Sequence, residues 1–294
     1  SFLLLAPTIA VVTNIDKEHM DFHGTMERLG ENFLAFINKV PFYGVAVLCS
    51  DDAHVRALLP KVRKRFTTYG LSPEAEFSAE DLTMSPAGVT FTALHRGKSL
   101  GKVRLRSPGK HSATNSLAAI AVAHELEVPF AHVAQAFEAF SGIHRRFEII
   151  GEPNGVMVID DYGHHPSEIR ATIGAIRDSW KRPLTVIFQP HRYTRTRDLF
   201  DEFLTAFEGA DRLVLTEIYG AGEDPITGAT GEALYQALKR QGHLEVEYVA
   251  DKSQIVAHLA GRLQAGDMAL TLGAGDIYKV GEALVEALKI EGME

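Results

Sequence analysis

Short apolar runs alternate with segments of helical periodicity in the second half of the chain, from about residue 154 onward. In the helical segments, apolar residues recur roughly every three to four positions, as they do on the buried face of a helix. Strands and helices that alternate in this way predict a parallel sheet with helices on both faces. The apolar runs are VMVID, LTVIFQ, RLVLTEI, VEYVA and MALTL.

The first half of the chain has a less regular pattern. Its opening part predicts strands that alternate with helices over TIAVVTNI, TMERLGENFLAFINKV, GVAVLCS and AHVRALLPKV. From RFTTYG to GKVRLR, extended runs broken by SPAG and RGKS predict antiparallel hairpins, and two helices follow. The pattern changes again at SGIHRRFEIIGEPNG, so we predict a boundary near residues 143–146 that separates domains 1–144 and 145–294.

The composition is typical of a two-domain cytoplasmic protein. The 294 residues are 46% hydrophobic, which is enough for a core in each domain. No apolar run approaches the roughly 18 residues of a membrane span, and the first residues lack the basic start of a signal peptide. Cys49 is the single cysteine, which excludes an internal disulfide, and its apolar neighbours predict a buried position.

A cationic cluster interrupts this acidic chain. The net charge of -8 and the pI near 5.9 argue against general nucleic-acid binding. Yet one histidine and three arginines lie within residues 191–197, directly after the predicted strand LTVIFQ. A solvated helix face would explain lone arginines, but His191, Arg192 and Arg195 together could grip a small carboxylate. Because ligands of parallel sheets bind beyond the carboxyl ends of the strands, we favour a clamp for a small anion.

The polar segment DKEHMDFH follows the first predicted strand. Its Asp16, Glu18, His19, Asp21 and His23 could hold a divalent cation. Acidic residues before a helix also serve as ordinary caps, and the spacing alone favours that explanation.

The segment PGKHSATNSLAA leads into a predicted helix whose first turn carries Ser112 and Asn115, with His111 adjacent. Backbone N–H groups at the start of a helix suit an anion or a nucleobase. Plain capping by Ser112 explains the motif equally well.

Two adjacent arginines, Arg145 and Arg146, lie at the predicted boundary. Neighbouring side chains point in different directions, so one could reach a ligand in a cleft while the other pairs with an acid. An ordinary ion pair between domains is the alternative that the sequence alone favours.

The motif DDYGHHP ends another predicted strand. Asp160 and Asp161 stand at the strand end, where a carboxylate can accept hydrogen bonds from a ribose diol. Pro166 fits the first turn of the next helix. His164 and His165 are adjacent and have no partnering cysteine motif, so we expect no zinc site.

Five motifs in this order resemble those of the Mur ligase family and together span nearly the whole chain. They are VVTNIDKEHMDFHG, PGKHSATNSLAA, GIHRRFE, DDYGHHPSEI and FQPHRYTRTRDLF. The family has a UDP-sugar domain, a central P-loop-type ATPase domain and a C-terminal Rossmann-like domain that brings the amino acid. The resemblance implies an α/β fold: the latter part of the central ATP-binding domain, then the C-terminal domain with its parallel sheet. We expect the UDP-sugar domain and the P-loop to lie upstream of Ser1.

The resemblance implies an ATP-dependent carboxylate–amine ligase of peptidoglycan precursor synthesis, with ATP and Mg²⁺ as cofactors. The γ-phosphoryl group would pass to the carboxylate of UDP-N-acetylmuramate, and the amine of L-alanine would attack the resulting acyl phosphate. Because a P-loop is needed to cradle the phosphates, we expect this chain alone to be inactive and to need the N-terminal part of the same enzyme. We expect neither nucleic acid nor a membrane as a partner.

The resemblance also assigns site residues. Those on the nucleotide side are His19 for magnesium, His111 and Asn115 for adenine, Arg145 and Arg146 for the phosphates, and Asp161 for the ribose. Ser112 stands where the family usually has asparagine. Those on the amino-acid side are Tyr162 and His164 near the reacting amine, and His191, Arg192 and Arg195 on the alanine carboxylate. We expect His164, Arg192 and Arg195 to take part in catalysis.

Two alternatives stay open at this point. A related ligase attaches a recycled tripeptide to the same UDP-muramate and shares most of these motifs, although the tyrosine of DDYGHHP and the string PHRYTRTR favour the alanine-adding reaction. A chain without a P-loop could instead be a non-catalytic module that binds a nucleotide or an amino acid.

Overall fold

The computed structural model describes residues 2–18, 20–242 and 245–291. The chain forms two compact units, Ser1–Ser141 and Gly142–Glu294. Each unit contains one sheet, and in both sheets the parallel strand pairs outnumber the antiparallel ones. The fold class is therefore α/β, as the sequence predicts. Within the described residues, no helix is both long enough and apolar enough to span a bilayer.

The first unit is built around one mixed sheet. Its strands are β1 (Ile9–Val12), β2 (Val45–Cys49), β3 (Phe66–Tyr69), β4 (Phe77–Ser85), β5 (Gly88–His95) and β6 (Lys98–Leu105). Its helices are α1 (Met20–His23), α2 (Met26–Ile37), α3 (Ala53–Leu58), α4 (Lys110–Glu125) and α5 (Phe130–Ala139). The strands follow their sequence order across the sheet, and β1 to β4 are parallel while β4 to β6 are antiparallel.

The prediction of antiparallel hairpins from RFTTYG onward is wrong for β3. This strand pairs in parallel with β2, and α3 lies between the two in sequence. A helix between two parallel strands is the usual crossover connection, whereas a hairpin joins antiparallel strands by a short turn. The hairpin prediction holds for β4, β5 and β6.

Two apolar clusters form the core of the first unit. One joins the strands to α4 and includes Cys49, which is buried as predicted. The other contains residues of α2 and α3 and of the strands β1 and β2. In the described part of the chain, β1 pairs only with β2, and Val11 on this edge strand is 41% exposed.

The second unit contains the predicted parallel sheet. Its strands are β7 (Glu148–Gly151), β8 (Met157–Asp161), β9 (Leu184–Phe188), β10 (Arg212–Leu215), β11 (Glu245–Tyr248) and β12 (Met268–Leu272). Its helices are α6 (Pro166–Ser179), α7 (Tyr193–Asp198), α8 (Phe200–Phe203), α9 (Gly231–Gln241), α10 (Ile255–Leu259) and α11 (Tyr278–Glu291). The strand order is β11-β10-β9-β12-β8-β7, so β12 lies between β8 and β9. All neighbours are parallel except β7, which is antiparallel to β8.

Both faces of this second sheet are covered. Met157 and Ile159 belong to the apolar cluster on one face, and Val156 and Val158 belong to the cluster on the other. Strands buried on both faces have continuous rather than alternating apolar sequences. This is why the runs VMVID, LTVIFQ and MALTL predict the sheet so directly.

The register of the second sheet places the ends of four strands at the same level. Leu272 of β12 is aligned with Asp161 of β8 and with Phe188 of β9, and Leu215 of β10 is aligned with Phe188. The loops after these strands therefore leave from one edge of the sheet, and the polar motifs they carry are brought together.

Candidate active site at the carboxyl edge of the second sheet

The loops at this edge bring aromatic and histidine rings into contact. His164, after β8, lies 5.6 Å from His191, after β9, between ring centroids. His191 in turn stacks on Tyr219, which follows β10, at 5.6 Å with 10° between the ring planes. Tyr162 meets His164 edge-on at 5.5 Å. The motifs DDYGHHP and PHRYTRTR thus lie side by side.

Arg145 fastens the end of β8 to the turn after β12. Its Nε donates to Asp160 Oδ2 at 2.9 Å, and its two terminal nitrogens donate to the carbonyl oxygens of Gly275 at 3.1 Å and Gly273 at 2.8 Å. Asp160 is almost fully buried and also accepts a bond of 2.6 Å from Thr271 Oγ1. Each of the three guanidinium nitrogens of Arg145 therefore donates a hydrogen bond within the protein.

Arg146 is the exposed member of the arginine pair. Its side chain is 51% exposed, and its NH1 lies 3.7 Å from Glu168 Oε1, which is beyond hydrogen-bond distance. Its guanidinium lies over the ring of Tyr162, 5.2 Å from the centroid. The two adjacent arginines therefore differ: Arg146 can direct its donors to a ligand, whereas each guanidinium nitrogen of Arg145 already donates to the protein.

Asp161 is a buried acceptor at the end of β8. Its two oxygens accept bonds from the backbone N–H groups of Phe147, at 2.8 Å, and Gly163, at 2.7 Å. Burial raises the pKa of Asp161 above its usual value, and these two bonds oppose that rise without cancelling it. A carboxylate has about four lone-pair positions, so acceptor capacity is left on each oxygen.

Glu168 organises the turn that carries the two histidines, and the sequence analysis did not identify it. Its carboxylate accepts from the backbone N–H groups of His164, at 3.0 Å, and His165, at 3.2 Å. The His165 side chain accepts from Ser167 N, which completes a reciprocal capping box at the start of α6. Burial acts to raise the pKa of Glu168, but the bonds from His164 and His165 hold it below the usual range. The spacing in HPSE was the available signal, although histidine is an uncommon cap.

The cationic cluster after β9 is half-buried. Arg195 NH1 donates to the carbonyl oxygen and to Nδ1 of His191, each at 3.2 Å. Because arginine only donates, Nδ1 of His191 is an acceptor and its proton is on Nε2. Burial, followed by His164 and the two arginines Arg195 and Arg192, lowers the pKa of His191 to about 4, so this ring is neutral at pH 7.

Three further residues of this edge are not among the site residues predicted from the sequence: Gln189, Tyr219 and Glu223. Glu223 accepts from Thr194 N at 3.0 Å and from Thr194 Oγ1 at 2.6 Å. Gln189 is almost fully buried, and its Oε1 has no hydrogen-bond partner among the described residues. Only the position of these residues just beyond β9 and β10 could have indicated them.

The candidate residues of the first unit are dispersed. His111 and Asn115 are exposed on α4, where residues four apart lie on the same face. His19, the predicted magnesium ligand, lies outside the described residues. His23, from the same segment, is buried and its Nδ1 lies 2.9 Å from Asn32 Nδ2. Across residues 2–18, 20–242 and 245–291, no three histidine, cysteine or acidic side chains are grouped as metal ligands would be.

Comparison with known proteins extends over both units. Residues 2–123 match the Mur ligase middle domain, and residues 145–275 match the glutamate ligase domain of Mur ligases. A UDP-N-acetylmuramate–L-alanine ligase from Geotalea uraniireducens is 52% identical over 98% of this chain, and one from Myxococcus xanthus is 48% identical over 98%. The chain spans 63% and 61% of the lengths of these two relatives.

Solved structures give the same result for the fold. The UDP-N-acetylmuramate–alanine ligase of Thermotoga maritima superimposes with a TM-score of 0.78 at 25% identity, over 99% of this chain and 61% of that one. A murein peptide ligase from Psychrobacter arcticus has the same fold, with a TM-score of 0.65 at 21% identity over 98% of this chain and 59% of that one. From both domain matches and these relatives, the chain belongs to the Mur ligase family.

Proposed function

We propose that this chain supplies the amino-acid site and part of the ATP site of a cytoplasmic ligase that joins L-alanine to UDP-N-acetylmuramate. The observation that carries the proposal is the 52% identity, over 98% of the chain, to a relative named for that reaction. The rival tripeptide reaction has weaker support, because the murein peptide ligase shares only 21% identity and so bears on the fold alone.

The cationic cluster after β9 is the proposed site for the carboxylate of L-alanine. The planar guanidinium groups of Arg192 and Arg195 match the geometry of a carboxylate and can bind one through charge-assisted hydrogen bonds. His191 is held neutral between them and His164, so it serves as a hydrogen-bonding group rather than as a third cation. Its Nε2–H is the donor that this tautomer offers.

His164 and Tyr162 are the proposed neighbours of the reacting amine. His164 Nδ1 lies 3.0 Å from the carbonyl oxygen of Tyr162 and 3.5 Å from Glu168 Oε2. A proton on Nδ1 is therefore favoured, and it puts the basic lone pair on Nε2. In this role His164 accepts the proton that the ammonium group of L-alanine loses before its nitrogen attacks.

The residues that would hold ATP fit that role in part. Arg146 is exposed and cationic, so it suits a phosphate, whereas Arg145 is mostly buried and each of its guanidinium nitrogens already donates to the protein. Asp161 keeps acceptor capacity for a ribose diol, and His111 and Asn115 are the proposed adenine contacts. Mg²⁺, with His19 as its proposed ligand, would neutralise charge on the transferred phosphoryl group.

A chimera provides the test. Residues 1–294 replace the segment of the Geotalea uraniireducens relative to which they align, and the product is assayed with ATP, Mg²⁺ and UDP-N-acetylmuramate. With L-alanine, we expect the chimera to form ADP and the L-alanine adduct of UDP-N-acetylmuramate. With the murein tripeptide in place of L-alanine, we expect no turnover. The unmodified relative is the positive control, and a chimera carrying Arg195→Ala is expected to lose the reaction.

Two results would contradict the proposal. One is a folded chimera that turns over only with the tripeptide, which would favour the recycling reaction. The other is a folded chimera that is inactive with both substrates while the unmodified relative is active, which would favour a binding module.

A further inference from the structure

Tyr219, in the loop after β10, is held beside His191 by its backbone. Tyr219 N donates to Pro190 O at 2.8 Å, and Arg192 N donates to Tyr219 O at 2.9 Å. These two bonds lie on either side of His191 in sequence, and they form a parallel bridge between residues 191 and 219. The main chain therefore keeps the side chains of Tyr219 and His191 next to each other.

The ring of Tyr219 is in contact with two other loops of this edge. It stacks on the His191 imidazole, with 5.6 Å between the ring centroids and 10° between the ring planes. The turn after β12 lies close against it, since a Cβ added at Gly275 would come within 2.9 Å of Tyr219 Cγ and 3.1 Å of Cδ2. Tyr219 is still 39% exposed, so this packing holds the ring in place without burying it.

The contacts of the His191 side chain fix different properties of its ring. Arg195 NH1 lies 3.2 Å from His191 Nδ1, which determines the edge of the ring that faces Arg195 and leaves the proton on Nε2. The ring of His164 is inclined to that of His191 by 55°. The ring of Tyr219, in contrast, is nearly parallel to it. Because the χ2 torsion of a histidine has broad minima, a flat surface of this kind restricts the imidazole to a narrow range of angles.

We propose that Tyr219 is a positioning residue of the amino-acid site: its ring fixes the plane of the His191 imidazole and so directs the Nε2–H group at the carboxylate of the amino-acid substrate. This role rests on the proposed function, because His191 donates to that carboxylate only if the cluster after β9 is the amino-acid site. A hydrogen bond weakens steeply as its angle falls, so a misdirected donor contributes little. A donor that is already oriented also loses less conformational freedom when the ligand binds.

The first experiment measures KM values of the chimera that contains residues 1–294 in full. Tyr219→Leu removes the ring, and we expect the KM for L-alanine to rise about tenfold, as for the loss of one hydrogen bond to a charged group. The KM values for ATP and UDP-N-acetylmuramate should stay within about twofold of those of the unsubstituted chimera. Tyr219→Phe keeps the ring and should restore the KM for L-alanine. Tyr219→Met, a second variant without the ring, should behave as Tyr219→Leu does.

Two further variants of the chimera separate positioning from general packing. Tyr235 also stacks on another ring, that of Tyr248, at 5.8 Å with 22° between the planes, but it lies on α9 outside the cluster. Tyr235→Leu is therefore the matched control, and it should leave the KM for L-alanine unchanged. Since Tyr219 acts through His191, the variant His191→Ala and the double variant His191→Ala/Tyr219→Leu should have equal KM values for L-alanine.

A measurement on the 294-residue chain alone does not depend on turnover. With ¹³C-labelled histidine, NMR relaxation gives the order parameter of the Cε1–H bond of His191. We expect a rigid ring in the wild type and in Tyr219→Phe, and a more mobile ring in Tyr219→Leu. Thermal unfolding of the three proteins shows whether each keeps its fold.

The outcomes are distinct. The positioning role is overturned, while the proposed function stands, if Tyr219→Leu keeps the KM for L-alanine or raises the KM for ATP equally. It is also overturned by an equal rise in Tyr235→Leu, by a further rise in the double variant over His191→Ala, or by an equally rigid His191 ring in Tyr219→Leu. If the unsubstituted chimera does not turn over with L-alanine, the proposed function fails, and the positioning role fails with it.

Discussion

The carboxyl ends of β8 and β9 are both rich in arginine, but the arginines differ in what they bind. At the end of β8, each guanidinium nitrogen of Arg145 donates to Asp160 or to one of two glycine carbonyls. At the end of β9, Arg192 is 42% exposed and its closest carboxylate partner, Glu223, lies 3.7 Å away. The first region is closed by its own bonds, and the second keeps donors that a ligand can reach.

This difference separates architecture from recognition. A buried guanidinium is costly unless it is paired and hydrogen-bonded, and the protein supplies Arg145 with an acceptor for each of its three nitrogens. A cation that is to bind a ligand has to stay incompletely paired and partly hydrated. Adjacent arginines in one motif can therefore have opposite roles, and the bonds of each decide which role it has.

The largest effect is expected from Arg145→Met, which leaves Asp160 buried without its cation. Removing one partner of a buried ion pair costs about 3–5 kcal/mol of unfolding free energy. Trp180 is the single tryptophan and lies in the core of the second unit, so its fluorescence during urea unfolding reports that unit alone. A loss under about 1 kcal/mol would show that the network around Arg145 does not stabilise the fold.

Gly275→Ala tests whether the close packing of the turn after β12 supports the stack of Tyr219 on His191. A Cβ at this position would lie 2.6 Å from Gln189 Oε1 and 2.9 Å from Tyr219 Cγ, so the Tyr219 ring has to move from its stack on His191. Overpacking of this kind costs about 1–3 kcal/mol. Gly174→Ala in α6 is the matched control, since nothing lies within 4 Å of its added Cβ, and it should be neutral or slightly stabilising. Equal destabilisation by both changes would contradict the packing argument.

A smaller effect on stability is expected when the pH is lowered, through protonation of His191 in the cluster after β9. His191 has a pKa of about 4 in the folded chain and about 6.5 when unfolded, so the unfolded state binds more protons between those values. The contribution of His191 to the unfolding free energy is fully present above about pH 6.5 and is lost as the pH is lowered toward 4. Because the ring is half-exposed, we expect this contribution to be about 1 kcal/mol.

The difference between the wild type and His191→Gln isolates this contribution. The variant has no imidazole at this position, so its melting temperature should change less than that of the wild type between pH 6.5 and pH 4.5. An equal change of melting temperature in the two proteins would show that His191 does not contribute to the pH dependence of stability.

Arg146→Met should have the smallest effect on stability. The side chain is half-exposed and its ion pair with Glu168 is long, at 3.7 Å, so the unfolding free energy should change by less than about 0.5 kcal/mol. A destabilisation as large as that of Arg145→Met, measured through Trp180 in the same way, would remove the distinction between the two arginines.

The sequence predicts the second sheet well because its central strands are continuous apolar runs. It misses β7, since EIIG is a short edge strand that directly follows the charged HRRF. The site motifs are predictable because they stand directly after apolar strands. The separate roles of Arg145 and Arg146 are not, because they depend on carbonyl groups near residue 273, which are distant in sequence. The bonds from Thr194 to Glu223 likewise join residues that follow two different strands.

The central position of β12 has a consequence for biosynthesis. This strand is the last in sequence but lies between β8 and β9, and each of these pairs with it along its length. A nascent chain that has not yet exposed residues 268–272 cannot join the two halves of the sheet. The second unit therefore completes its folding only after residues 268–272 have been synthesised, and chains that stop before that point expose unpaired apolar strands that favour aggregation.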